Sequence, residues 1–252
     1  MSNFEDAIQY SRAIHCNNLS NLDKTNINEY LCILKSDWNL RAIHNASSYV
    51  CAIPNASEYD IALSGNIDVK NEFFPRVFGK EYYENFKVTP IDTVLEIGCG
   101  FGRMTMFIAQ YCNKLYAVDI SKELLEIAKK RLSDTKYNHV KFIETDGMHL
   151  DGVPDNSIDV AFEYIVFQHC PSQEIIASYI KEVSKKLKVG GIFVMHGRDL
   201  PCDETGTSIG NTWHGCRCGG DLVRKSIENT NLRIEKEEGI GTERYWVTLK
   251  KY

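Results

Sequence analysis

Residues 94–103, VLEIGCGFGR, carry the chain's most suggestive chemistry. Three glycines, Gly98, Gly100 and Gly102, follow an apolar stretch and lead into a helix-forming one. A strand that ends in glycine lets the backbone approach a ligand closely and turn sharply. The spacing G-x-G-x-G differs from the G-x-G-x-x-G of dinucleotide-binding loops, and an acid, Glu96, sits just before it. A pyrophosphate at the helix N-terminus is a poor companion for that carboxylate, whereas an amino-acid ammonium suits it. Asp119 closes the next apolar stretch, twenty-one residues after Gly98, where a carboxylate can accept both hydroxyls of a ribose. Asp146 closes a third stretch, before Gly147, and is placed to accept from an exocyclic adenine amine. Any one of these acids is as readily a helix cap or a solvated loop residue. Three of them at successive strand ends beside a glycine loop point together to an adenosine bearing an amino acid.

The elements that must position these groups alternate in type. Strands are predicted over 93–97, 115–118, 140–144, 158–162 and 192–195. Helices are predicted over 103–111, after an N-cap at Ser121, from Ser172 to 187, and over 222–226. Residues 189–191 read as a turn, and 232–235 with 245–249 as the arms of a terminal hairpin. Such alternation implies a parallel sheet with helices on both faces and right-handed crossovers. Residues 1–88 lack this texture and read as a helical extension ahead of a domain over 89–252. Within the extension, Asn, Ser and Asp mark turns at 17–28 and 55–68. Ser64, Gly65 and Asn66 read as a break, followed by a helix from Val69 into Phe78. Phe73, Phe74, Phe78, Tyr82, Tyr83 and Phe86 form an aromatic cluster, mostly core, with one face able to cover a ligand.

Composition narrows the function classes. The 252 residues carry 29 Lys and Arg against 34 Asp and Glu, a net charge of −5. No long basic run accompanies this, which disfavours nucleic acid as a partner. No run of about eighteen apolar residues and no basic-then-apolar leader appears, so neither a membrane span nor a secretory signal is expected. The nine cysteines are an odd number without a CxxC pair, which favours reduced thiols in the cytoplasm. Cys216, Cys218 and His214 form one loose cluster with no second cluster to complete a zinc site, so no metal is expected.

Taken with its neighbours, the glycine run resembles motif one of the class I S-adenosylmethionine-dependent methyltransferases. The likeness continues through 117–121 (AVDIS), 144–147 (ETDG), 157–162 (SIDVAF) with Val166 to His169 and Pro171, and 187–193 (LKVGGIF), where Val189 replaces the family's usual proline. It covers about residues 89–250. The resemblance implies an α/β, Rossmann-like, doubly wound seven-stranded sheet of order 3-2-1-4-5-7-6 with an antiparallel seventh strand. It also implies S-adenosyl-L-methionine as cofactor and S-adenosyl-L-homocysteine as product. Glu96, Gly98, Cys99, Gly100, Arg103, Asp119, Ile120, Asp146, Gly147 and Tyr164 would bind the cofactor, with Arg103 paired to Glu96 or to a carboxylate of the extension. A weaker likeness, in Trp38, Arg41, Ala42, 64–69, 210–213 and 241–246, is to small-molecule methyltransferases of sugar and natural-product pathways.

Methyl transfer asks the protein mainly to align an acceptor behind the methyl group, and a hydroxyl acceptor gains from a general base. His169, after the fourth strand, is the first candidate base and His196, ending the fifth, the second. Gln168 can orient a substrate hydroxyl, Trp213 can stack on a ring, and Arg217 can hold a carboxylate or phosphate. Each also has a plainer reading: a brace for its loop, a solvated side chain, a packed ring or a surface charge. The expected function is O- or N-methylation of a small molecule. Alternatives are methylation of a metalloid or thiol, drawing on Cys170, Cys202, Cys216 and Cys218, and a non-catalytic cofactor-binding protein. RNA methylation is disfavoured because residues 163–166 read EYIV where an N/D-P-P-[YF] motif would stand. A nicotinamide oxidoreductase is disfavoured by the loop spacing and Glu96.

Overall fold

The computed structural model describes residues 27–79, 90–200, 212–213 and 215–252. The expectations for Tyr82, Tyr83, Phe86, His214, Cys16 and Cys202, and for all but the end of the turn at 17–28, lie outside the described residues. Seven strands make one sheet: β1 (Ile91–Ile97), β2 (Cys112–Asp119), β3 (Val140–Glu144), β4 (Ile158–Glu163), β5 (Leu187–Gly197), β6 (Leu232–Glu238) and β7 (Tyr245–Lys251). Their order is β3-β2-β1-β4-β5-β7-β6. The first five run parallel, and β7 runs antiparallel to both β5 and β6. Val94, Leu95 and Ile97 of β1 are all buried, so both faces of the central strand are covered. One face packs on α6 (Gln173–Lys186) and α7 (Gly220–Ile227), the other on Phe73, Phe74 and Met104.

Ahead of the sheet stand α1 (Ile27–Val50), α2 (Glu58–Asp68), a π turn (Val69–Phe73) and the single turn α3 (Phe74–Val77). The remaining helices are α4 (Thr105–Ile108) and α5 (Lys122–Arg131). Ser121 caps α5 by accepting from Leu124 N, and Ser172 caps α6 by accepting from Glu174 N. No described helix is long and apolar enough to cross a membrane.

The structure corrects four local readings. Residues 58–68 are helical, not a turn, because Ser57 and Asp60 form a reciprocal capping box that starts α2. Gly65 lies inside that helix and does not break it: a Cβ there would collide with the Arg103 carbonyl, so glycine lets α2 lie against the turn after the ligand loop. Residues 189–191 are a bulge inside a longer β5. Leu187 pairs with Ile158 and Ile192 with Val160, with Gly190 at φ +84°. The helix expected over 103–111 is shorter, α4 followed by a 3-10 turn (Ala109–Tyr111).

Gly65→Ala is therefore expected to destabilise the protein by roughly 2 kcal/mol or more, since backbone must move to admit the methyl group. Thermal unfolding followed by circular dichroism checks this, and an unchanged Tm would refute the contact.

Candidate functional site

At the C-terminal ends of β1, β2 and β4 the strand order reverses, which is where open α/β sheets bind ligands. A cleft of about 980 Å³, counting space open at its mouth, lies there. Its floor is the glycine loop. Gly98 N and Cys99 N both donate to Val118 O, at 2.8 and 3.0 Å. Gly98 has φ +69°, and a Cβ on it would strike Val166. Asp119 closes the loop from the side: its Oδ2 accepts from Gly100 N and its Oδ1 from Ser121 N, each at 2.8 Å. Glu96 is buried beside them, and its Oε2 has no hydrogen-bond partner among the described residues.

Three carboxyls in this region are fully buried, and burial raises each one's pKa: Glu96 to about 7, Asp119 to about 6 and Glu163 to about 7. Glu163 also accepts three backbone N–H groups, from Val166 (2.6 Å) and Phe167 (3.0 Å) at Oε1 and from His196 (2.8 Å) at Oε2. These bonds oppose the rise and tie the end of β4 to β5.

Between their unfolded and folded pKa values these acids hold more protons in the native state, so stability falls as pH rises through that window. His196 acts oppositely. Burial, then Arg244, Arg76 and His169, push it down to about 3, so its contribution grows as pH rises toward its unfolded value of 6.5. With three groups against one, the ligand-free Tm is expected to fall from pH 5.5 to 7.5. Glu96→Gln should flatten the slope. A Tm that rises over that range would contradict the assignment.

Of the residues predicted from sequence, Glu96, Gly98, Cys99, Gly100, Arg103, Asp119, Ile120, Gly147, Tyr164 and His169 line the cleft. Arg103 pairs with Asp68 on α2, not with Glu96. His169 is buried, with Nδ1 2.5 Å from Trp213 O and Nε2 3.4 Å from Gln168 Nε2. Gln168 and Trp213 thus touch His169 without being among the cleft-lining residues.

Three predicted residues lie apart. Asp146 is half exposed and closes its own turn: Oδ1 accepts from Met148 N and His149 N, and Oδ2 lies 2.6 Å from His149 Nδ1. His196 is buried between Tyr164 and Trp246, away from the cleft lining. Arg217 is held by Asp199 at 2.7 Å and Asp221 at 2.9 Å.

Sequence reasoning missed the residues that α1 brings: Leu34, Trp38, Tyr49 and Val50. It missed Tyr179 of α6, and Ile165, a β-branched residue at φ +59° on the cleft wall. Only the run EYIV before His169 hinted that Ile165 belongs to a functional turn. A β-branched residue with positive φ is rare, and such strain gathers at ligand sites. Cys170, Cys216 and Cys218 are buried near one another, and Cys216 N donates to Cys170 O. Burial pushes the thiols of Cys170 and Cys218 up, which keeps them protonated and unreactive. Among the described residues no group of three or more His, Cys, Asp or Glu is arranged to hold a metal.

Comparison with known proteins agrees with this geometry. A family model described as a methyltransferase domain matches residues 95–195. Protein-L-isoaspartate O-methyltransferase of Dictyoglomus thermophilum is 32% identical over 171 residues, which cover 62% of this chain and 71% of that protein. Phosphoethanolamine N-methyltransferase 2 of Caenorhabditis elegans is 32% identical over 127 residues, 46% of this chain, but the chain spans only 28% of that protein's length. Magnesium protoporphyrin IX methyltransferase of Synechocystis, solved with bound S-adenosylhomocysteine, superposes with a TM-score of 0.63 at 14% identity. That match covers 88% of this chain and all of the other, and at such identity it is a likeness of fold.

Proposed function

Since the chain belongs to the class I S-adenosylmethionine-dependent methyltransferases, we propose that it methylates a small-molecule acceptor, at oxygen or nitrogen, bound between the glycine loop and His169. The observation that carries this reading is the buried, unpartnered Glu96 Oε2 in one cleft with Asp119 and His169. Such an orphaned acceptor fits the ammonium of the cofactor's amino acid. Asp119 retains lone pairs for ribose hydroxyls, and Gly98 and Gly100 leave room for the ligand backbone. Ile120 and Gly147 flank the base. Asp146 Oδ1 is taken by the N–H groups of its own turn, and Oδ2, beside His149, retains a lone pair for the adenine amine. S-adenosylmethionine, when bound, supplies a methyl group on a sulfonium, open to in-line attack. Trp38, Tyr49 and Val50 exclude water from one side, so α1, within the extension before the domain at 89–252, acts as a cover over the cleft. His169 takes the acceptor's proton, while His196, buried off the cleft, serves packing.

The net charge of −5 and the lack of a long basic run favour a small acceptor, such as a sugar or natural-product intermediate, over nucleic acid. Calorimetry with S-adenosylmethionine and S-adenosylhomocysteine, followed by transfer of labelled methyl into metabolite fractions, tests the reading. Saturable binding and label in an oxygen- or nitrogen-linked product are expected. Binding without transfer would mean a non-catalytic cofactor protein, label in thiol or metalloid products would mean the second chemistry, and no binding would end the proposal.

A further inference from the structure

We propose that Arg41, acting through Thr212 and Trp213, holds His169 in the Nδ1–H tautomer and so leaves Nε2 as the ring nitrogen that carries no proton. The inference rests on the reading of His169 as the base.

Arg41 lies on α1, 171 positions before Thr212, and is 6% exposed. Its NH2 donates to Thr212 Oγ1 at 2.9 Å and its NH1 to Thr212 O at 3.3 Å. The Thr212 hydroxyl donates in turn to Asp37 Oδ2 at 2.5 Å, one helical turn from Arg41. The guanidinium carbon stands 4.8 Å from the Trp38 ring centroid and 5.5 Å from that of Trp213. A planar fork held by two oxygens and stacked between rings has little freedom to turn, which a lysine cannot reproduce. The backbone at 212–213 is thereby fixed, and the Trp213 carbonyl is aimed at His169 Nδ1, 2.5 Å away.

A carbonyl oxygen accepts only, so this contact requires a proton on Nδ1, and a neutral imidazole then has an unprotonated Nε2. The Gln168 amide nitrogen 3.4 Å from Nε2 is a donor and fits the same tautomer. The ring itself is set from two further sides, edge-on to Trp38 at 5.2 Å and tilted on Trp213 at 5.0 Å. From below, Glu163 fixes the 3-10 turn (Phe167–His169) by accepting from Val166 N and Phe167 N. The cover helix thus does more than close the cleft: one of its residues sets which nitrogen of the base carries the proton. Arg41 and Thr212 are positioning residues in this scheme.

The test uses full-length protein saturated with S-adenosylhomocysteine and labelled with 15N-histidine, His169 being assigned by the peaks lost in His169→Gln. Long-range proton–nitrogen correlation should show Nδ1 protonated in the wild type. Arg41→Lys keeps the charge but loses the fork, and Thr212→Val removes the hydroxyl at nearly constant volume. Both should shift His169 toward the Nε2–H form and lower kcat by about tenfold or more, with S-adenosylhomocysteine affinity within about twofold. A wild-type His169 in the Nε2–H form, or an unaltered tautomer in both variants, overturns the proposal. A merely structural role for Arg41 would move Tm without moving the tautomer. Failure of the functional reading is seen separately, as absence of S-adenosylhomocysteine binding or of methyl transfer.

Discussion

Replacing His169 by alanine is expected to slow methyl transfer by roughly 10²–10⁴-fold while S-adenosylhomocysteine affinity stays within about threefold. The split follows from position. His169 lines the cleft on the 3-10 turn after β4, whereas the groups that fit the cofactor's polar parts, Glu96, Asp119 and the glycine loop, come from β1 and β2. On the proposed reading, removing the imidazole takes away a proton acceptor and leaves the groups assigned to the cofactor untouched. Alanine also removes ring contacts to Trp38 and Trp213, so His169→Gln, which fills more of the space, is the companion variant. Both should be slow if the loss is chemical. If glutamine restored full turnover, the imidazole would be a packing element, and the acceptor would need no base. Label transfer under saturating S-adenosylmethionine, with the acceptor found in the metabolite screen, makes the measurement.

The sheet and the glycine-loop side of the cleft were legible in the sequence because their determinants are local. A strand, a glycine turn and a helix cap are each read within a few residues, and the acid, Asp119, lies at an offset of only twenty-one from Gly98. The side around His169 was not, because it is assembled across long separations. Trp38 reaches His169 over 131 positions and Arg41 reaches Thr212 over 171. No periodicity reports such a meeting. Arg217 illustrates a second cause: its guanidinium is spent on Asp199 and Asp221, and a free arginine looks the same in sequence as a paired one. Gly65 illustrates a third. Its surroundings, serine and asparagine, suggest a break, but the glycine answers to the distant backbone of Arg103. Asp146 was correctly placed at the end of β3 yet faces its own turn, since Met148 N, His149 N and the His149 ring satisfy it locally. Cys99, between two glycines, lines the cleft and is buried against Ala117 and Leu125.

Asp119 carries the other large expectation: Asp119→Ala should weaken S-adenosylhomocysteine binding by at least about 100-fold, since hydrogen bonds to a charged acceptor contribute roughly 1.5–3 kcal/mol each and a ribose offers two. The same substitution has a cost in the free protein. Gly100 N and Ser121 N both donate to this carboxylate, and leaving two buried donors without partners costs on the order of 1–3 kcal/mol apiece. Part of that is returned, because a buried carboxyl whose pKa burial raises to about 6 no longer has to be accommodated at neutral pH. Loss of binding in the alanine variant would therefore mix a missing contact with a loosened loop. Asp119→Asn separates them. It retains a carbonyl oxygen for one of the two N–H groups and nearly the same shape, so its Tm should lie much closer to wild type. It also lacks the charge and half the acceptors, so binding should still fall by about tenfold or more. Wild-type affinity in the asparagine variant would mean that Asp119 only braces the glycine loop and that the ribose is held elsewhere. Weak binding with an intact melt would place the hydroxyls on this carboxylate. Calorimetry and thermal unfolding on the two variants, at one pH above 7 where the wild-type carboxyl is ionised, give both numbers.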